Sequence, residues 1–163
     1  MSGIEGASPG HTAQLQKARG PAFAPRDALS LLLRLGLGGL MVWAGQAKLH
    51  DPAAFAEEIG NYRLLPMVAP LVSVTLPMIE LFAGLALFAP RGPWRLGAAL
   101  LNLGLLAMFT VAVTSTRLRG IDLSCGCFGT AQSPVTWLTV VRDLALVAWA
   151  SGIVLLERAP ARR

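Results

Sequence analysis

The chain has 163 residues, of which 54% are hydrophobic and 14% charged, and its mean hydropathy is +0.57. Soluble domains carry roughly one charged residue in four, so this chain is poor in charge and rich in apolar residues. A domain of this size cannot bury so many apolar residues in its own core. The expected solvent is therefore a lipid bilayer. The net charge of +5 does not indicate nucleic-acid binding, because the basic residues stand at the ends of apolar segments and form no single patch or stripe.

The first 26 residues are rich in Gly, Ala, Pro, Ser and Gln and carry Lys17, Arg19 and Arg26. This composition predicts a disordered, basic, cytosolic tail. The apolar run that follows is about 19 residues long, longer than the ~7–15 residues of a signal-peptide core, so we predict a retained span. The rest of the chain is then a membrane domain over residues 27–157 and a short basic cytosolic tail over 158–163.

Four segments are long and apolar enough to cross a bilayer, which takes ~20 residues of helix. They run from Leu29 to Ala47, from Leu64 to Ala89, from Leu96 to Thr116 and from Val135 to Leu156. Lipid cannot satisfy an open backbone, so each segment is predicted to be a helix, and the prolines at 70 and 77 are tolerated in such spans. The predicted fold is an all-α integral membrane four-helix bundle.

A short amphipathic helix is predicted directly after the first span. Asp51 and Pro52 are a favourable N-cap and first helical residue. Phe55, Ile59 and Tyr62 follow at the spacing of one helical face, which suits a helix lying on the membrane surface. The helix is either a simple connector or a lid beside the loop between the third and fourth spans.

The distribution of Lys and Arg predicts which ends of the spans face the cytosol. An orientation with both termini inside puts eight of these residues inside and four outside, as the positive-inside rule favours. The inner eight are Lys17, Arg19, Arg26, Arg91, Arg95, Arg158, Arg162 and Arg163, and the outer four are Lys48, Arg63, Arg117 and Arg119. The loop between the third and fourth spans then faces outward, which in a bacterium with two membranes is the periplasm.

This outward loop carries both cysteines of the chain, Cys125 and Cys127, separated by one glycine. Disulfides form and persist on that side. A Cys-Gly-Cys disulfide is a poor structural staple, because its loop has almost no length and its geometry is strained and therefore easily reduced. Zinc needs four ligands, and His50 could add only a third, since His11 is predicted on the other side. We therefore favour redox exchange, with structural cysteines and metal handling as alternatives.

Several stretches of the sequence together resemble the MauE family, which belongs to the wider DoxX-like group of four-helix membrane proteins. These stretches are GQAKLHDPAAFAEEIGNYRLLP from Gly45, LPMIELFAGLALF from Leu76, CGCFG from Cys125 and RDLAL from Arg142. The similarity covers roughly residues 28–156. It implies a protein of the bacterial inner membrane that is needed to mature methylamine dehydrogenase, whose disulfide-rich small subunit would be the client, together with a periplasmic thioredoxin-like partner.

Four ionisable residues fall within predicted spans, Arg34, Glu80, Arg142 and Asp143, and each is a functional candidate or half of a structural pair. Arg34 stands near the inner end of the first span, and we expect its side chain to snorkel to the interface. Glu80 stands about 16 residues into the second span, ~24 Å from its outer start. We expect Glu80 to be a buried partner of Arg34 or Asn102.

Arg142 and Asp143 interrupt the fourth span near its outer end. Arg142 is predicted ~10 Å below the outer surface, where it would stabilise a thiolate or a quinone oxygen. Asp143 points about 100° away from it around the helix. We expect Asp143 to form a structural ion pair, with Lys48 or Arg142 as its partner.

These features lead to one hypothesis and two alternatives. Cys125 and Cys127 would cycle between dithiol and disulfide by exchange with a thioredoxin-like partner, supported by Arg142, Asp143, Glu80 and Lys48. A bilayer quinone is an electron acceptor suggested only by analogy with other four-helix thiol oxidoreductases. The alternatives are a non-catalytic membrane assembly factor and a protein that transports a metal or small molecule.

Overall fold

The computed structural model describes residues 25–62, 66–90, 92–120, 124–125, 133–134 and 136–158. Five α-helices lie in these ranges: α1 (Pro25–His50), α2 (Pro52–Asn61), α3 (Ala69–Ala86), α4 (Pro93–Leu118) and α5 (Trp137–Arg158). A 3₁₀ turn over Pro66–Val68 precedes α3, and two short strands, β1 (Ser124–Cys125) and β2 (Ser133–Pro134), lie between α4 and α5. The predicted tails lie outside the described residues, except that Pro25 and Arg26 belong to α1 and Arg158 to α5.

Four of these helices, α1, α3, α4 and α5, are long and apolar enough to cross a membrane. Neighbouring helices pack as a closed ring, α1 on α3, α3 on α4, α4 on α5 and α5 on α1, around a core that includes Leu37, Leu87 and Ile153. Outward-facing side chains are large and apolar on every span, with Leu32 66%, Phe82 68% and Leu138 77% exposed. Such surfaces suit lipid, and the predicted all-α membrane bundle is confirmed.

The second span is shorter than predicted, because α3 begins at Ala69 and not at Leu64. Pro66 opens the 3₁₀ turn and Pro70 lies in the first turn of α3. A proline there loses no helical hydrogen bond, so it is favoured where a helix starts. The later start brings Glu80 to about 17 Å from the beginning of its helix, not ~24 Å.

The predicted surface helix is α2. The Asp51 side chain accepts a hydrogen bond from the Ala54 amide at 3.0 Å, and Pro52 is the first helical residue. Phe55 is buried, and Ile59 and Tyr62 are partly buried on the same side. α2 packs against α1 and α3, so it lies across the ends of these spans.

The backbones of α1 and α3 are in contact where the two helices cross. A Cβ atom added to Gly38 would lie 2.9 Å from the carbonyl oxygen of Gly84, and one added to Gly84 would lie 2.8 Å from that of Gly38. One heptad along, a Cβ atom on Gly45 would lie 2.9 Å from the carbonyl oxygen of Pro77. Small residues allow spanning helices to approach this closely, and here they set the separation of α1 and α3.

This crossing predicts that Gly45→Leu destabilises the bundle. The new side chain would force α1 away from Pro77, at a cost of about 1–3 kcal/mol for overpacking. Gly39→Leu is the matched control, because it makes the same change in the same helix where no atom lies within 4 Å. Thermal unfolding in detergent should show a lower midpoint for Gly45→Leu only, and equal midpoints for the two variants would contradict the crossing.

Candidate functional site

Cys125 lies on the connection that leaves α4 and enters α5. Gly120, just after α4, has a φ of 65°, a left-handed conformation that glycine adopts without strain. Ser124 and Cys125 then pair antiparallel with Pro134 and Ser133, which closes the loop as a small hairpin. Cys127 lies outside the described residues, so the role of the cysteine pair stays a prediction.

The base of this loop contacts both the fourth span and α2. Arg117 at the end of α4 lies over the ring of Trp137 at the start of α5, 5.8 Å from its centroid. Arg119 donates from Nη1 to the carbonyl oxygen of Tyr62 at 3.3 Å. The chain after α2 and the base of the cysteine loop therefore lie together at one end of the bundle, which we call the loop end.

A buried ion pair joins α1 to α3 toward the loop end. The Lys48 Nζ lies 2.6 and 2.7 Å from the two carboxylate oxygens of Glu80, and the two residues are 4% and 0% exposed. The same ammonium group lies 4.7 Å from the ring centroid of Phe109 and 5.5 Å from that of Phe55, close enough for cation–π attraction. One carboxylate and two aromatic faces thus surround the charge.

This pair corrects two predictions. Glu80 was expected to pair with Arg34 or Asn102, which is wrong, because it pairs with Lys48. Lys48 was counted on the outer side and named as one of two candidate partners of Asp143; it is buried and binds Glu80 instead. The physical reason is the late start of α3, which raises Glu80 toward the loop end and into reach of the Lys48 side chain. Phe109 was not predicted as a site residue, since one phenylalanine in an apolar span carries no signal of its own.

Arg34 and Asn102 instead satisfy backbone carbonyl groups. Arg34 donates from Nε to the Leu87 oxygen at 2.8 Å and from Nη2 to the Ala89 oxygen at 3.2 Å. It is 6% exposed, and it caps the end of α3, where carbonyl groups lack helical partners. Asn102 donates to the carbonyl oxygens of Ala83 and Ala98, both at 2.8 Å.

Arg142 and Asp143 pair with each other, which was one of the two predicted arrangements for Asp143. Nε and Nη2 of Arg142 lie 3.0 and 2.9 Å from Oδ1 of Asp143. The Arg142 side chain is 43% exposed and that of Asp143 only 7%. Oδ2 of Asp143 is buried without a hydrogen-bond partner in the described part of the chain.

Asp143, Lys48 and Glu80 line one small cavity between the four spans. Its volume is about 20 Å³, and its remaining walls are mainly apolar, including Met41 and Phe109. That is room for about one water molecule, which could donate to the buried Asp143 oxygen. The described residues hold no group of three or more His, Cys, Asp or Glu side chains arranged to bind a metal.

We expect Arg142→Leu to destabilise the protein, because it leaves the buried Asp143 carboxylate without its partner. The expected loss is about 1–3 kcal/mol, and adding Asp143→Asn should restore most of it, since the amide carries no charge. Arg158→Leu, a change at the exposed far end of α5, is the control. SDS-induced unfolding in mixed micelles measures the free energy of unfolding of each variant. A double variant less stable than Arg142→Leu would contradict the pairing.

Comparison with known proteins places this architecture in a family. The family model described as methylamine utilisation protein MauE matches residues 26–156. The chain is 36% identical to methylamine utilization protein MauE of Paracoccus denitrificans over 124 residues, which are 74% of this chain and 66% of the relative. It is 36% identical to MauE of Paracoccus versutus over 127 residues, 76% and 67% of the two lengths.

The matched region thus spans about two thirds of the length of these relatives. No solved structure matches the chain significantly. The family match extends from the first turn of α1 into the last turn of α5 and includes the cysteine loop. The family match and the similarity to these two relatives show that this four-span chain with its cysteine loop belongs to the MauE family of methylamine utilisation proteins.

Proposed function

We propose that the chain is a membrane thiol–disulfide exchange protein that supports the maturation of periplasmic disulfide-containing proteins, in methylamine utilisation the small subunit of methylamine dehydrogenase. The observation that carries this proposal is the position of the cysteines. Both are on the loop between α4 and α5, separated by one residue, and the chain has no other cysteines. A strained disulfide of this kind belongs to the labile, reactive class.

The exchange needs only two thiols and a disulfide of the partner. The thiolate of one cysteine attacks a sulfur of the partner disulfide, whose S–S bond breaks as a mixed disulfide forms. The second cysteine then attacks the mixed disulfide and releases the partner as a dithiol. Two electrons and two protons pass to the partner and the Cys125–Cys127 disulfide forms; the reverse sequence oxidises a client.

The charged residues at the loop end support this chemistry in two ways. Arg142 is about 8 Å from the start of α5, its side chain is 43% exposed, and a cation near a thiol lowers its pKa and favours the thiolate. Lys48, Glu80 and Asp143 are buried, so they act as positioning residues that hold the helices beneath the loop.

The proposed location is the bacterial inner membrane, with both termini in the cytosol and the cysteine loop in the periplasm. Lys48 and Arg95 are both buried, and leaving them out changes the Lys and Arg distribution from eight against four to seven against three. The remaining residues still support the orientation that the positive-inside rule favours.

Thiol trapping in cells tests the exchange. Either Cys125→Ser or Cys127→Ser should accumulate a mixed disulfide with a thioredoxin-like periplasmic protein, because the thiol that resolves it is absent. The double variant should trap nothing, and a reductant should release the partner. If neither single variant traps a partner while the double variant still supports client maturation, the chain is a non-catalytic assembly factor.

The same cells provide a control for orientation. After reduction, a membrane-impermeant maleimide should label the wild-type cysteines in intact spheroplasts, and it should not label the double serine variant. Labelling of the wild type only after lysis would reverse the proposed topology.

A further inference from the structure

A second cavity lies at the opposite end of the bundle, where α1 begins and α5 ends. Its volume is about 260 Å³. Its walls include Asp27, Leu31 and Arg34 of α1, Phe88 in the connection after α3, and Arg95 of α4. We call it the basal cavity, and none of the residues in the cysteine chemistry contributes to it.

The basal cavity is bordered by two buried arginines. Arg95 is 8% and Arg34 is 6% exposed. Arg95 uses Nη2 for Glu157 and, at 3.3 Å, for the hydroxyl oxygen of Ser30. Its Nε is buried and has no hydrogen-bond partner among the described residues. An unsatisfied buried guanidinium N–H is costly, and the described residues supply no acceptor for this donor.

The charge around the basal cavity favours an anionic acceptor. The described side chains at this end include four arginines, at positions 26, 34, 95 and 158, against the two carboxylates of Asp27 and Glu157. The 26-residue helix α4 also begins here, at an N-cap glycine, Gly92, with no side-chain cap. The exposed N–H groups and the dipole of a helix N-terminus attract anions.

The rim of the basal cavity is apolar on the side of the lipid. Leu31 is 38% and Phe88 40% exposed, and Trp94, next to Arg95, is 81% exposed. Tryptophan is typical of the membrane–water interface. A ligand that fits both surfaces has an anionic group for the arginines and hydrocarbon for the rim.

We propose that the basal cavity binds the phosphate group of an anionic phospholipid. The phosphate accepts a hydrogen bond from Nε of Arg95 and lies near Arg34, while the acyl chains run along Leu31 and Phe88. Basic pockets between spanning helices are known to suit such headgroups. The lipid would then fill the gap between α1 and α4 and stabilise the end of the bundle where α1 begins and α5 ends.

Native mass spectrometry of the detergent-purified protein tests this proposal, with phosphatidylglycerol and phosphatidylcholine as the lipid probes. Phosphatidylglycerol should bind more tightly than phosphatidylcholine, because both carry the phosphate but only phosphatidylcholine adds a choline cation that the arginines repel. Arg95→Lys keeps a cation beside Glu157 but removes the Nε donor, so it should weaken phosphatidylglycerol binding about tenfold, as loss of one charge-assisted hydrogen bond predicts. Arg158→Lys, at an exposed arginine outside the cavity walls, should bind phosphatidylglycerol as the wild type does.

A second pair of variants tests the site without changing any ion pair. Leu31→Trp should fill the mouth of the cavity and weaken phosphatidylglycerol binding, whereas Leu35→Trp, one turn further along α1 and 46% exposed, should not. Equal binding of the two lipids, or binding unaffected by both Arg95→Lys and Leu31→Trp, would overturn the proposal. Thermal stabilisation by inorganic phosphate alone, equal to that by phosphatidylglycerol, would identify free phosphate as the ligand and overturn the lipid assignment.

Discussion

The ion pair between Lys48 and Glu80 is the constraint on which the loop end of this bundle depends. A charge buried in apolar surroundings must be paired, because removing it from water costs several kcal/mol that only a close partner offsets. The pair forms one turn from the contact of Gly45 with Pro77, where the two helix backbones touch. The close crossing and the ion pair therefore support each other: the small residues bring α1 to α3, and the charges hold the register.

Polar contacts of the same kind recur at both ends of the spans. At the loop end, Arg142 holds Asp143, and Arg119 joins the cysteine loop to the end of the surface-helix segment at Tyr62. At the opposite end, Glu157 of α5 binds Arg95 of α4 and the hydroxyl of Ser30 of α1. Because lipid tails are as apolar as leucine, apolar burial alone does not drive spanning helices together, and packing and polar contacts must do so. Together with the ion pair, these contacts join α1 to α3 and α5, and α5 to α4.

The fold and the family were predictable from the sequence, and so was the pairing of the sequence neighbours Arg142 and Asp143 as one of two alternatives, whereas the partner of Glu80 was not. Hydropathy located all four spans, and Asp51 with Pro52 located the start of α2, because these signals are local. The partner of Glu80 depended on where α3 begins. With Pro66 and Pro70 near its start, α3 begins about one and a half helical turns later than the predicted Leu64. The partners of Arg34 were equally hidden, because sequence alone could not show that the carbonyl groups ending α3 lie beside it.

A double-mutant cycle on Lys48 and Glu80 tests most directly whether this pair organises the bundle. Lys48→Met and Glu80→Gln should each lower the free energy of unfolding in mixed micelles, Lys48→Met by about 3–5 kcal/mol because it leaves the Glu80 carboxylate buried alone. The double variant should recover most of that loss, which gives a large coupling energy between the two sites. Single losses that simply add in the double variant would contradict the central role of the pair.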